Sequence, residues 1–346
     1  MGEYGPTERF PSEFRLADGS VAEVFSSYRR ETVLRHFDWM RQYGIDGALV
    51  QRFANETRDP KALNHRNAVL RHAQEGANRH GRGWALMYDL SGLRADSFHL
   101  VLDDWRTLVE RMRLGRDARD KAYLRHRGKP LVAVWGVGFN DDRGYTLADC
   151  EKLIDLLKDD PVYGGNTVML GVPYHWRERK GDAIADVELH RVLVKADIIS
   201  PWAVGRFGAD RSADDIARKH VEPDVAWCRA KSKDYLPVVW PGFSWHNLRK
   251  GEAKFDQIPR LGGDFMWRQC LGAKRGGADM LYVAMFDELD EGTAIFKCSN
   301  APPVGGTPFL VSPGLPSDHY LWLTGMTGRM LSGEIPATAA MPVRPR

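Results

Sequence analysis

No apolar run in this chain approaches the roughly 20 residues that would span a bilayer, and the formal net charge of its 346 residues is only +3. The first absence predicts no membrane span. The second leaves no electrostatic case for nucleic acid or an anionic membrane surface. The one basic stretch, Arg111 to Lys129, is interrupted by Asp117 and Asp120 and reads as a solvated helical face. Cysteine is scarce: Cys150, Cys228, Cys270 and Cys298 show no paired spacing for a disulfide framework or a zinc site. The first three fall in helical patterns, where a free thiol acts as a small buried apolar group. The N-terminus has neither a basic start nor an apolar h-region, so no secretory leader is visible. As written the chain reads as cytoplasmic, and as secreted or periplasmic if an upstream leader has been lost.

Several chemical signatures are missing too. No histidine pair has HxxxH spacing, so a metal site is not expected, and nothing calls for a cofactor. No GxSxG elbow is present, and Ser244 has no obvious base, which argues against a serine hydrolase. The stretch "WGVGFN" from Trp135 to Asn140 has two glycines where a dinucleotide fingerprint needs three.

What the chain does hold is a repeat of short apolar runs followed by amphipathic helices. Strand candidates are Gly47 to Phe53, Trp84 to Leu90, Pro130 to Gly136 and Thr167 to Pro173, then Asp197 to Val204, Tyr235 to Phe243 and Met280 to Phe286. They are nearly continuously apolar, as strands covered on both faces must be. Between them, Glu31 to Gly44 carries Val33, Phe37 and Met40 on one stripe, and Thr146 with Asp149 forms an N-cap signature. Regular βα alternation predicts a parallel sheet with right-handed crossovers, and seven strands fall one short of a (β/α)8 barrel. The first strand is missing or irregular: either the N-terminal stretch forms it irregularly, or the reading frame starts downstream of it. The expected division is an irregular segment at 1–30, a barrel domain at 31–335 and a tail at 336–346.

In such a barrel the chemistry lies at the C-terminal strand ends. Those ends supply Gln51 and Arg52, Tyr88 and Asp89, Trp135, Tyr174 with His175 and Trp176, Trp202, Trp240 to Asn247, and finally "MFDELDEG" from Met285 to Gly292. Polar and aromatic groups recur at one level while the strand interiors stay apolar. Eleven tryptophans, several at strand ends, suit flat faces such as sugar rings. Carboxylates with aromatics are the usual equipment for cleaving glycosidic bonds. Arg52 could instead brace the rim, and His175 and His246 could be structural.

The segments "YGIDGALVQRF", "WALMYDLSG", "PLVAVWGVGF", "VVWPGFSWHN" and "FDELDEGTAIF" resemble the glycoside hydrolase family 71/99-like proteins, (β/α)8 barrels related to family 99 endo-α-mannosidases. The resemblance runs from about Tyr28 to the C-terminal helix. Where family 99 carries glutamate, an aromatic, a variable residue and then glutamate-glycine-threonine, this chain has Glu288, Leu289, Asp290, Glu291, Gly292 and Thr293. Leu289 departs from the aromatic. The resemblance implies Glu288 as the base-like group on the sugar 2-hydroxyl and Glu291 as the acid on the leaving oxygen. It also implies a retaining route through a 1,2-anhydro sugar, which requires a 1,2-trans glycoside such as an α-mannoside or α-arabinofuranoside. Arg52, Asp89, Trp135, Tyr174, Trp176, Trp240, Trp245 and His246 are the expected substrate-binding residues, with an oligo- or polysaccharide as partner. Asp287 and Asp290 are expected to be scaffolding. The competing readings are an inverting family 71-like α-glucanase and a non-catalytic carbohydrate-binding barrel, and some relatives carry xylosidase or arabinosidase labels.

Overall fold

The computed structural model describes residues 3–345. An N-terminal hairpin comes first, β1 (Arg9–Arg15) paired antiparallel with β2 (Val21–Phe25), followed by α1 (Arg30–Gln42). The stretch expected to be irregular therefore holds regular structure, but its strands pair with each other and not with the barrel ladder. Alternation then sets in: β3 (Gly47–Phe53), α2 (Pro60–His80), β4 (Gly83–Asp89), α3 (His99–Met112), a short β5 (Arg125–His126), β6 (Lys129–Trp135) and α4 (Leu147–Asp159). Next come β7 (Thr167–Pro173), α5 (Glu188–Leu193), β8 (Ile198–Trp202), α6 (Ala213–Ile216), α7 (Glu222–Ala230), β9 (Asp234–Tyr235) and β10 (Val238–Val239). The chain closes with α8 (Trp245–Leu248), α9 (Asp264–Arg275), β11 (Tyr282–Val283) and α10 (His319–Leu331).

β3, β4, β6, β7, β8 and β9 form one parallel ladder in chain order, and β10 pairs in parallel with β11. β9 and β10 are two pieces of one barrel position, split at Leu236 and Pro237, because proline has no N–H to donate to a ladder. Seven of the eight barrel positions are thus occupied, as the apolar runs predict. No described strand lies between β3 and β11. Helix α1 covers that side, with Val33, Phe37 and Met40 packed toward β3 and α2, and Trp39 in a second core cluster with Val283 and Phe286.

Register decides which residues meet. One row across the sheet runs Arg52, Tyr88, Val134, Leu170, Ile199, Tyr235 and faces the helices. The fully buried aliphatic members of such a row each contribute about 1.5–3 kcal/mol. The next row on the opposite face runs Phe53, Asp89, Trp135, Gly171, Ser200 and lines the barrel interior near its C-terminal end. Alternation along each strand puts the two rows on opposite faces.

Helix ends follow local chemistry. Asp59 caps α2 through Ala62 N, Pro60 opens it, and Gly81 in the left-handed region ends it. Thr146 and Asp149 form the expected reciprocal capping box on α4. The basic stretch from Arg111 to Lys129 is not a helical face. Helix α3 stops at Met112, Arg113 and Gly115 adopt positive φ, and turns lead into the β5–β6 hairpin. Cys150, Cys228 and Cys270 are buried free thiols on helices, as expected.

Candidate active site

The last strand ends in a turn that carries both glutamates. Thr293 Oγ1 donates to the Glu288 carbonyl, and Ser244 N donates to the Glu291 carbonyl at 2.8 Å from the end of the neighbouring barrel position. Gly292 sits at φ +78°, a conformation that glycine adopts without strain. Glu288 and Glu291 are both half-buried. Burial, then Asp290, Asp287 and Asp89, push the Glu288 carboxyl up to about 7. Burial, then Glu288 and Asp290, push Glu291 up to about 8. The two carboxyls are coupled, and a charge on either one helps keep the proton on the other.

Asp287 is open to solvent, yet desolvation raises its carboxyl too. A group that water reaches while protein surrounds it lies in a recess. Its charge acts on Tyr4, beside α1, while Glu288 feels Asp89 across the barrel interior.

Asp89 projects from the end of β4 into the interior row. Its carboxylate accepts from Gln51 Nε2 at 2.7 Å and from Ser91 N at 2.8 Å, so both oxygens are held. Trp135 comes next in that row. Its ring lies where Gly171 leaves room, since a Cβ at Gly171 would meet Trp135 Cδ1 at 2.4 Å. Trp202 packs edge-on to Trp135 at 5.6 Å, and Arg143 stacks over the other side at 5.0 Å. The Trp135 indole N–H is buried without a hydrogen-bond partner. Tyr282, 6.3 Å from Trp202, contacts the sulfurs of Met87 and Met285, and burial, Glu288 and Asp89 together raise its hydroxyl. An open cavity of about 750 Å³ lies beside this cluster, lined by Ser91 to Asp96 and Asp141 to Gly144.

The structure brings together Glu288, Glu291, Asp89 and Trp135 among the residues read from sequence. Others point elsewhere. Arg52 is 1% exposed on the helix-facing row and bonds Asp104 through Nε and Nη2 at 2.8 and 2.6 Å. Tyr174 is buried against His220 and Phe207, and Trp176 donates to Asp224 beneath α7. Trp240 is fully buried between Phe207 and Phe265. Their partners lie on the surrounding helices and loops, which strand-end position alone does not specify. Trp245 and His246 stay half-buried on α8, fixed to the carbonyls of Gly205 and Ala253.

The sequence reading missed Tyr282, hidden within an apolar run, and Arg143, which no motif marks. Gln51 and Trp202 were visible as strand ends but not selected. Among the described residues no cluster of His, Cys, Asp and Glu could hold a metal ion, and no helix is long and apolar enough to cross a membrane.

Fold and site together define a (β/α)8 barrel with a recessed acidic and aromatic C-terminal face. No family model matches the chain, and no curated relative matches it in sequence. Solved structures do. A GH99 endo-alpha-mannosidase from Bacteroides thetaiotaomicron, in complex with bis-tris-propane, superposes with a TM-score of 0.66 at 17% identity, covering 93% of this chain and 88% of that one. A second structure of a GH99 endo-alpha-mannosidase from that organism gives 0.65 at 16% identity, over 92% and 84% of the two chains. A glycoside hydrolase-like protein gives 0.59 at 13%, over 94% and 91%. At these identities the likeness establishes a shared fold, the one the sequence resemblance implied.

Proposed function

We propose that this protein is a retaining glycoside hydrolase acting on a 1,2-trans glycoside, with Glu288 and Glu291 as its working pair. The observation that carries the reading is a pair of carboxyls three residues apart on one barrel-end turn, both pushed up by burial and by neighbouring carboxylates. Carboxyls raised toward neutral pH in this way can serve as a base and an acid there. The fold shared with endo-alpha-mannosidases supports it.

In this reading Glu288 accepts the proton of the sugar 2-hydroxyl as O2 attacks C1 and the C1–O bond to the leaving group breaks. Glu291 gives its proton to the departing oxygen. Glu291, now ionised, takes a proton from water, whose oxygen opens the 1,2-anhydro sugar at C1. Glu288 returns its proton to O2, and two inversions leave the anomeric configuration retained. Asp89, Trp135 and Tyr282 would line the sugar site, and an α-mannoside or α-arabinofuranoside has the required trans O2.

Glu288→Gln and Glu291→Gln are each expected to lower kcat by about 100-fold or more on an alkyl glycoside. An aryl glycoside with a good leaving group should largely rescue Glu291→Gln but not Glu288→Gln. Equal losses for Glu291→Gln on both substrates would remove Glu291 from the acid role. Proton NMR of the first-formed anomer reads the stereochemistry. The β anomer from an α-mannoside would move the chain to an inverting mechanism.

A further inference from the structure

The turn bearing Glu291 is gripped by one side chain that belongs to a different barrel position. Asn247 on α8 uses both of its amide N–H groups on backbone carbonyls: Asp290 O at 2.6 Å and Pro308 O at 2.7 Å. The first carbonyl sits directly before Glu291. The second lies in the strap of residues 299–315 that crosses beside it. Leu310 of the strap packs on Gly292, where a Cβ would approach Leu310 Cδ1 to 2.4 Å. The strap is also pinned from outside, because Val304 N donates to Arg15 O on the N-terminal hairpin and Phe14 meets Phe309 edge-on. Ser312 N and the Leu315 carbonyl are tied to Asn300, which closes the strap on itself.

We propose that Asn247 is a positioning residue, a two-headed clamp that holds the Glu291 turn and seats the strap against it as one wall of the carboxylate cleft. The proposal rests on the glycosidase reading for its catalytic consequence and on geometry alone for the clamp. Asparagine is suited to this because a planar amide offers two donors in fixed directions. Alanine offers none. Aspartate keeps the shape but sets an acceptor against two carbonyls and adds a charge next to Glu291. The clamp ties the acidic turn and the strap, about twenty residues apart in sequence, to one side chain.

Two measurements on the whole protein test it. In kinetics, Asn247→Ala is expected to lose about 10–100-fold in kcat on an alkyl glycoside with KM within about twofold, and much less on an activated aryl glycoside. That dependence copies Glu291→Gln and is not the signature of a general loss of folded protein. In hydrogen exchange, Asn247→Ala and Asn247→Asp are expected to speed exchange in both 288–293 and 299–315, while Glu291→Gln leaves both protected. Asn247→Asp supplies the same readouts where Asn247→Ala does not fold, and its added charge is expected to move the alkaline limb of the pH profile upward. Equal kinetic losses on the two substrates, or an unchanged strap, would overturn the clamp. A wild-type protein that cleaves no glycoside would sink the glycosidase reading instead, and exchange would still decide whether Asn247 couples turn and strap.

Discussion

Glu288 and Glu291 are chemically the same side chain, three residues apart, and different neighbours raise each of them. Glu288 sees three other carboxylates besides its own desolvation, while Glu291 responds mainly to burial and to Glu288 itself. A raised carboxyl also has a stability cost. Between its unfolded value and its folded value the native state holds the extra proton, so stability falls as pH rises through that window. For this pair the window runs from the ordinary glutamate range up to about 7 and about 8. Replacing either with glutamine is therefore expected to raise Tm at pH 8.5 and to change it little at pH 4.5. A Tm loss at pH 8.5 would contradict the assigned environments.

Arg52 shows the opposite case at the same scale, a charge whose place is structural. It is buried and bonded to Asp104, which also accepts from Tyr88. Truncating one member of such a pair strands the other without water. Arg52→Ala is expected to cost about 3–5 kcal/mol in denaturant unfolding, with no direct effect on ligand contacts. A change below about 1 kcal/mol would show that the pair is not holding α3 to the barrel.

At the scale of elements, the site depends on strand register. Trp135 can lie across β7 because Gly171 is its register partner and has no side chain. Gly171→Ala is expected to displace the indole, raising KM about tenfold or more while costing about 1–3 kcal/mol as overpacking. Unaltered KM would mean that Trp135 does not contact substrate. The same scale explains what could be read from sequence. The strands β3, β4, β6, β7 and β8 were legible because two-sided burial makes their apolar runs continuous, and α4 because its capping box is local. Asp59, Pro60 and Gly81 bracket α2 with equally local signals. Inward and outward sides were not legible, since both faces of a buried strand are apolar. That is why Tyr174, Trp176 and Trp240 read as site residues yet pack beneath the helices. Asp89 and the Glu288–Glu291 turn were readable because a carboxylate at the end of such a strand has few apolar explanations.

For the whole molecule, the barrel positions from β3 to β11 carry one recessed face, and elements outside the ladder support it. Helix α1 covers the side between β3 and β11, and the N-terminal hairpin reaches the strap that flanks Glu291. Fold, strand-end chemistry and the raised carboxyl pair together support the proposed glycoside cleavage. The pH dependence of kcat/KM on an alkyl glycoside tests that most directly. A bell is expected, falling below about 7 as Glu288 is protonated and above about 8 as Glu291 loses its proton, with the alkaline limb absent in Glu291→Gln. A flat wild-type profile across this range, or an alkaline limb that survives in Glu291→Gln, would contradict the account.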